Sequence, residues 1–407
     1  MADDITIAVP TDDDWDAYFG CLARAFADPG GEEEQNAERI CWEPERSLAA
    51  WRDGEIVGTA GIYTRQLAVP GGVVPAAHVT HVSVASSARR RGLLTRFMRQ
   101  QFDDIRAARE PIAVLWASEG RIYQRFGYGL AALRAALTAA TREVTLLSPA
   151  PTDRLREATP TQLRAVMEKV YDEAFQTRPG WSQRRQPQWD YRLADLKSWR
   201  EGATALRAVV HHGDDGPDGY ALFRMLNRWG HTGPDCVVKV VEQVAATPAA
   251  YAALWQFLFT IDLARSTEVS AVATDEPLLT MVNEPNRLAA TLSDSLWLRI
   301  VDLPAALASR RYAADVDVVI EATDDQIPAN AGRWRLRGSP SSASCEPTTD
   351  EPDLRCDIRV LGAAYLGRGV LYGSGAAGLV DEVRPGTLAR AATAFGWYQA
   401  PNSIEVF

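Results

Sequence analysis

Arg89-Arg90-Arg91-Gly92 is the first stretch of this chain whose residue types could do chemistry. Three guanidinium groups and a glycine stand directly before an apolar helical pattern, Leu93, Leu94, Phe97 and Met98. The first N–H groups of a helix find no partner inside it and carry partial positive charge, so such a loop is an anion cradle. Residues 78–84, just ahead of the loop, alternate in polarity and are rich in β-formers, which predicts a strand. Strand, basic loop, glycine and helix together suit a pyrophosphate.

Other nucleotide and metal chemistry is poorly served. There is no GxxxxGK[ST] segment. One GxGxxG occurs, at residues 373–378, but Pro385-Gly386 interrupts any helix that would have to follow it, so it reads as a loop. The five cysteines are scattered without a CxxC pair, which points to a reducing compartment and away from zinc. The five histidines lack ligand spacing, and His211-His212 reads as a solvated strand end. The formal net charge is −10, which disfavours nucleic acid and is compatible with a cationic partner. No apolar run reaches membrane-spanning length, and the start of the chain lacks a signal-peptide pattern, so a cytoplasmic protein with no membrane partner is expected.

The elements that must position the loop can be followed along the 407 residues, a length for two to four domains. A strand at 5–9 precedes a helix capped by Thr11 with Asp14 in capping-box spacing, ending near residues 28–31. Strands at 48–52 and 56–63 flank Asp53-Gly54, and a second hairpin flanks Pro70-Gly71-Gly72. After the basic loop and its helix comes a buried strand at 112–117, then a short helix over 119–125 capped by Ser118. A second segment repeats the scheme, with a helix at 159–174, a hairpin at 205–224, a strand at 237–244, a helix at 248–263 and a strand at 268–274. Residues 245–248 stand where its basic loop should be and contain neither a basic residue nor a glycine, so no second anion cradle is expected. A third segment opens with a strand at 297–301, adds a helix start at 304–308, strands at 316–322, 334–337 and 358–361, and ends with a helix at 388–395.

The basic loop resembles the acyl-CoA pyrophosphate loop of the GNAT superfamily of N-acetyltransferases, and the element order around it is the GNAT order. Arg89 and Gly92 fit that loop, whereas Leu94 departs from its small last residue. The loop, the segment Ala117-Ser118-Glu119-Gly120-Arg121-Ile122-Tyr123-Gln124-Arg125-Phe126-Gly127-Tyr128-Gly129, the run Leu296-Trp297-Leu298-Arg299-Ile300 before Leu-Pro-Ala-Ala-Leu, and a C-terminal Phe resemble the enhanced intracellular survival (Eis) family of GNAT enzymes. The resemblance covers essentially the whole chain and implies an α+β fold. It comprises a catalytic GNAT domain over 1–145, a degenerate GNAT-like domain over 146–294 and a sterol-carrier-like domain over 295–407. It implies acetyl transfer from acetyl-CoA to primary amines, including several amines of aminoglycoside-like cations, by a homohexamer. Carried over, Val82, Ser83, Val84, Arg90, Arg91, Gly92, Leu93, Leu94, Thr95, Ser118 and Glu119 would line CoA, with the main chain of residues 82–84 bonding the pantetheine arm as an added strand would. Tyr123 would be the general acid and the Phe407 α-carboxylate the general base.

The chemistry has a use for such groups. A lysine-like amine has a pKa of about 10.4 and must shed a proton before it attacks a thioester. A carboxylate attracts the ammonium and, when desolvated, accepts its proton. A tyrosine hydroxyl can protonate the leaving thiolate, and a backbone N–H near residues 82–84 could stabilise the oxyanion. Tyr128 is the rival acid and Glu405 the rival carboxylate. Trp116 can only donate, so it shapes the pocket. Asp28 and Glu32 to Glu34 either face a cationic substrate or form a solvated acidic loop. Two other readings stand beside the amine acetyltransferase: a protein lysine acetyltransferase, and a lipid- or ligand-binding carrier whose GNAT unit is structural.

Overall fold

Two β-rich runs on either side of Pro70-Gly71 form one long hairpin, and the first domain is built on it. The structure is a computed structural model, and it describes residues 5–28 and 30–407. Residues 1–4, at the acidic start, and Pro29, at the expected end of the first helix, lie outside the described residues. The chain divides into two units. One takes in the chain up to Ala132 with Ser295–Pro401 and Val406–Phe407, and the other takes in Leu133–Asp294 with Asn402–Glu405.

In the first unit the order is β1 (Thr6–Ala8), α1 (Trp15–Phe26), α2 (Glu32–Arg39), β2 (Leu48–Arg52), β3 (Glu55–Val69), β4 (Gly72–Val84), α3 (Leu93–Ala107), β5 (Ile112–Trp116), α4 (Gly120–Gln124) and β6 (Gly129–Leu130). Thr11 and Asp14 form the expected capping box ahead of α1. Four strands expected between residues 56 and 84 are in fact two, because β3 and β4 run unbroken to the turn at 70–71. The acidic run after residue 31 is the helix α2, which buries only Ala37 and so shows no apolar period. Ser118 does not cap α4; the residue before that helix is Glu119, and it makes no side-chain cap bond.

The strand Leu296–Ile300, read from the sequence as opening the third segment, lies in the first sheet. That sheet runs β1-β2-β3-β4-β5-(Leu296–Ile300)-β6. The inserted strand is antiparallel to both neighbours and buried at every position, as an interior strand must be. The remainder of the third segment forms a five-stranded sheet in the order Ala343–Pro347, Gly332–Gly338, Val316–Thr323, Leu354–Asp357, Val380–Glu382. Two expectations fail there. The strand expected at 358–361 is the helix Ile358–Ala364, started by the Asp357 carboxylate accepting from the Arg359 N–H, and the GxGxxG loop is the short helix Leu371–Ala376.

The second unit repeats the GNAT scheme. A seven-stranded sheet contains the parallel pair Cys236–Ala245 and Ala264–Val272, joined by the helix Pro248–Thr260. Thr247 caps that helix through Ala250 N, where the first domain has its basic loop. Leu133–Ala140 belongs to this sheet, pairing with Ala264–Val272. His211 is not solvated: it is buried, and its Nδ1 lies 2.6 Å from Asp218 Oδ1.

Candidate active site

β4 is paired on one side along its whole length and on the other for only three residues. Its register with β3 runs from Gly72 to Val84, whereas its parallel register with β5 is Ala76↔Ile112, Ala77↔Ala113 and His78↔Val114. From residue 79 onward β4 has lost β5 as a partner, which leaves residues 79–84 without a strand on that edge. A bulge sets His81 and Val82 against the single residue Ala60, and His81 takes φ +52°, an unusual conformation for a non-glycine residue. Thr59 Oγ1 donates to the His81 carbonyl at 2.6 Å and lies 2.7 Å from Ser83 Oγ, so the bulge is tied to β3.

The basic loop follows. Arg89, Arg90, Arg91 and Gly92 are exposed, and Arg90 and Gly92 both have positive φ, 63° and 75°. Gly92 is the residue before α3 and supplies no cap, which leaves the first-turn N–H groups of Leu93, Leu94 and Thr95 without a capping side chain. No acidic residue occupies that turn. Leu93 is buried against Phe97, and Leu94 packs on the cluster that contains Tyr123. The bulk of Leu94 is thus taken up by the core, and its backbone stays in the first turn. An open strand edge leading into an uncapped basic helix start fits an acyl-CoA, with amides for the pantetheine and positive charge for the pyrophosphate.

Tyr123 lies on α4 beyond β5. It is buried in the cluster formed by Ala77, Val79, Met98 and Phe102, on the α3 face of the sheet. Burial pushes its hydroxyl up to about 12. Tyr128 meets it edge-on, ring centroids 5.8 Å apart. The Tyr128 hydroxyl is fully buried without a hydrogen-bond partner, and burial raises it further still. Ser118 and Glu119 are exposed at the head of α4, where Glu119 accepts from Arg121 Nε at 2.8 Å. The inserted strand backs this segment closely. A Cβ on Gly120 would meet the Trp297 ring at 2.5 Å, and one on Gly127, at φ +85°, would meet the Arg299 guanidinium at 2.7 Å. Arg299 is in turn held by Asp324, both carboxylate oxygens at 2.7 Å.

The opposite face carries different groups. His78, the last residue paired to β5, is fully buried, and the Phe407 ring lies 4.6 Å from its ring. Phe407 is half-buried against the cluster of Leu67, Val74 and Val114. Tyr63 stands opposite His78 in the β3–β4 register, and its hydroxyl is 3.1 Å from His81 Nε2. Glu38 of α2 reaches the same nitrogen at 3.5 Å. Of the acidic residues singled out in the sequence, Asp28 accepts from Gly30 N, and Glu32 and Glu33 are exposed.

Glu405 lies in the second unit and is committed elsewhere. Its carboxylate accepts from Arg184 Nε at 2.9 Å, while the rest of that buried guanidinium is bidentate to Glu242 at 2.8 and 2.6 Å. Asn402 N donates to Pro179 O at 3.0 Å, and Asn402 and Ser403 are buried.

His78, His81, Tyr63 and Glu38 did not stand out as site residues in the sequence. The histidines have no metal-ligand spacing, and the geometric signal, a bulge where one strand leaves another, has no marker in single-residue spacing.

Family models match the chain three times: a GNAT acetyltransferase domain over residues 6–131, a second GNAT acetyltransferase domain over 180–300, and a sterol carrier protein domain over 303–402. An uncharacterized N-acetyltransferase of Streptomyces avermitilis is 44% identical over 403 residues, covering 97% of this chain and 98% of that protein. The N-acetyltransferase Eis of Mycobacterium bovis is 36% identical over 381 residues, covering 89% and 90%. The crystal structure of Eis1 from Mycobacterium abscessus superposes with a TM-score of 0.85 at 30% identity, covering 99% of this chain and 100% of that one.

Proposed function

The chain belongs to the Eis family of GNAT N-acetyltransferases and uses acetyl-CoA as acetyl donor, and from that premise we propose that it acetylates primary amines of aminoglycoside-like cations, several on one molecule. Acetyl-CoA supplies the activated thioester. Val82, Ser83 and Val84 hold the pantetheine arm through their main chain. Arg90, Arg91, Gly92, Leu93, Leu94 and Thr95 hold the pyrophosphate, with Ser118 and Glu119 at the far lip.

The acceptor amine approaches from the face that carries His78 and Phe407. The Phe407 α-carboxylate draws in the ammonium and acts as general base. Tyr123, on the α3 face, protonates the departing thiolate. Its raised pKa keeps the proton in place at neutral pH. The observation that carries this reading is the 4.6 Å contact of Phe407 with His78, which ends the chain beside the point where β4 and β5 part. Glu405 is the weaker candidate for the base, since its carboxylate is engaged by Arg184 Nε at 2.9 Å. The acidic helix α2 accounts for a cationic substrate.

Thiol release from acetyl-CoA, measured against kanamycin-like amines and against lysine-containing peptides, tests the substrate class. Turnover with the polyamines and none with peptides is expected; the reverse would make the protein a lysine acetyltransferase. The same reading carries a homohexamer in the cytoplasm, which sedimentation of the purified protein checks for assembly.

A further inference from the structure

His81 combines three features that a purely structural histidine lacks. Its φ of +52° puts it in the left-handed region, where a non-glycine residue is held only by its surroundings. Its Nδ1 is buried with no hydrogen-bond partner, whereas buried polar atoms in a settled core are nearly always paired. Its Nε2 is shared between the Tyr63 hydroxyl at 3.1 Å and the Glu38 carboxylate at 3.5 Å. Glu38 stands on an acidic helix with its side chain 27% exposed, so the pair reaches from the buried bulge to solvent. Tyr18 of α1 also meets the ring, edge-on at 5.9 Å.

We propose that His81, backed by Glu38, takes the proton that the acceptor ammonium must lose, and passes it to solvent. The inference rests on the amine-acetyltransferase reading and adds a residue to it. A free α-carboxylate has a pKa of about 3.5, so a proton that the Phe407 carboxylate takes from the ammonium is passed on at neutral pH, and His81 is the acceptor that receives it. The ammonium docks between the Phe407 carboxylate and Glu38. One N–H bond breaks, the Phe407 carboxylate takes the proton and passes it to His81 Nε2, where Glu38 balances the imidazolium charge. The freed lone pair forms the C–N bond as the C–S bond breaks, and its electron pair stays on sulfur. Sulfur takes the Tyr123 proton, and the second proton lost from nitrogen restores the phenol. The net product is amide, thiol and one proton, which leaves His81 by way of Glu38.

Two amines of matched size separate this role from a structural one. Ethylamine is almost wholly ammonium at neutral pH, whereas trifluoroethylamine is mostly free base. In thiol-release assays at neutral pH, His81→Phe is expected to lower kcat/KM for ethylamine by about 100-fold and for trifluoroethylamine by less than about threefold. Glu38→Gln, at a partly exposed position, should show the same selectivity even if phenylalanine at position 81 disturbs packing. Calorimetric affinity for a diamine, measured without acetyl-CoA, should persist in His81→Phe and weaken in Glu38→Gln. Equal losses with both amines, or no loss with either, would overturn the relay. A wild-type enzyme that releases no thiol with these amines or with kanamycin-like ones would overturn the amine-acetyltransferase reading of this site, and the relay with it.

Discussion

The Phe407 ring lies 4.6 Å from the ring of His78, the last residue at which β4 still pairs with β5. The contact gives the sequence's final residue a fixed neighbour in its first sheet. It also sets the terminal residue and Tyr123 on opposite faces of that sheet, because His78 and Val79 alternate and Val79 packs with Tyr123. With Tyr123 as the proposed acid and the Phe407 carboxylate as the proposed base, the two would stand on opposite sides of the gap between the strands.

The two tyrosines in the α4 segment should separate cleanly. Tyr123→Phe is expected to reduce kcat by about 100-fold or more with little change in KM. Tyr128→Phe removes a buried hydroxyl that has no partner, so it should leave kcat near the wild-type value and leave stability unchanged or slightly raised. The acid must be protonated to act, so the rate should not decline on its account as pH rises from neutral until it nears about 12. Steady-state kinetics and thermal unfolding of both variants check this.

Arg90 and Arg91 lie exposed in the loop ahead of α3, and exposed charges act through a screened field. The double variant Arg90→Gln, Arg91→Gln should raise KM for acetyl-CoA by about tenfold or more at low salt, with kcat nearly kept. The gap between variant and wild type should narrow as ionic strength rises. A KM unchanged at low salt would remove these side chains from the CoA site.

The second unit should show its own acid sensitivity. Burial alone would raise Glu242, but the guanidiniums of Arg184 and Arg192 overcome it and hold the carboxyl at about 2. A depressed carboxyl stabilises the fold above its unfolded pKa of 4.5 and loses that contribution as pH falls from there toward 2. Glu242→Gln leaves Arg184 with half its partners, at a cost of about 3–5 kcal/mol near neutral pH. Its stability should then fall less steeply with acid than the wild type's, which denaturant melts across that range measure.

Much of this was legible in the residues, and the exceptions have physical causes. The basic loop, the glycine before α3 and the tyrosine helix depend on local chain properties, so composition and period found them. α2 was missed because a helix that buries one alanine has no apolar stripe to read. The residues after 357 look β-rich as Ile-Arg-Val-Leu, yet an aspartate cap turns them into a helix. The strand Leu296–Ile300 was found, but not its sheet, since strand partners are set by long-range packing. His81 was passed over for the same reason: its bulge exists only where β4 faces β3 and has lost β5.

The proposed base is the α-carboxylate of Phe407, the residue whose ring meets that of His78. Appending one glycine after Phe407 keeps the ring and its contact while moving the carboxylate by roughly 3.5 Å. Thiol release with a kanamycin-like amine should then show kcat reduced by about 100-fold or more, with KM for acetyl-CoA unchanged and the melting temperature kept. Full turnover by the extended chain would contradict the assignment of the terminal carboxylate as base.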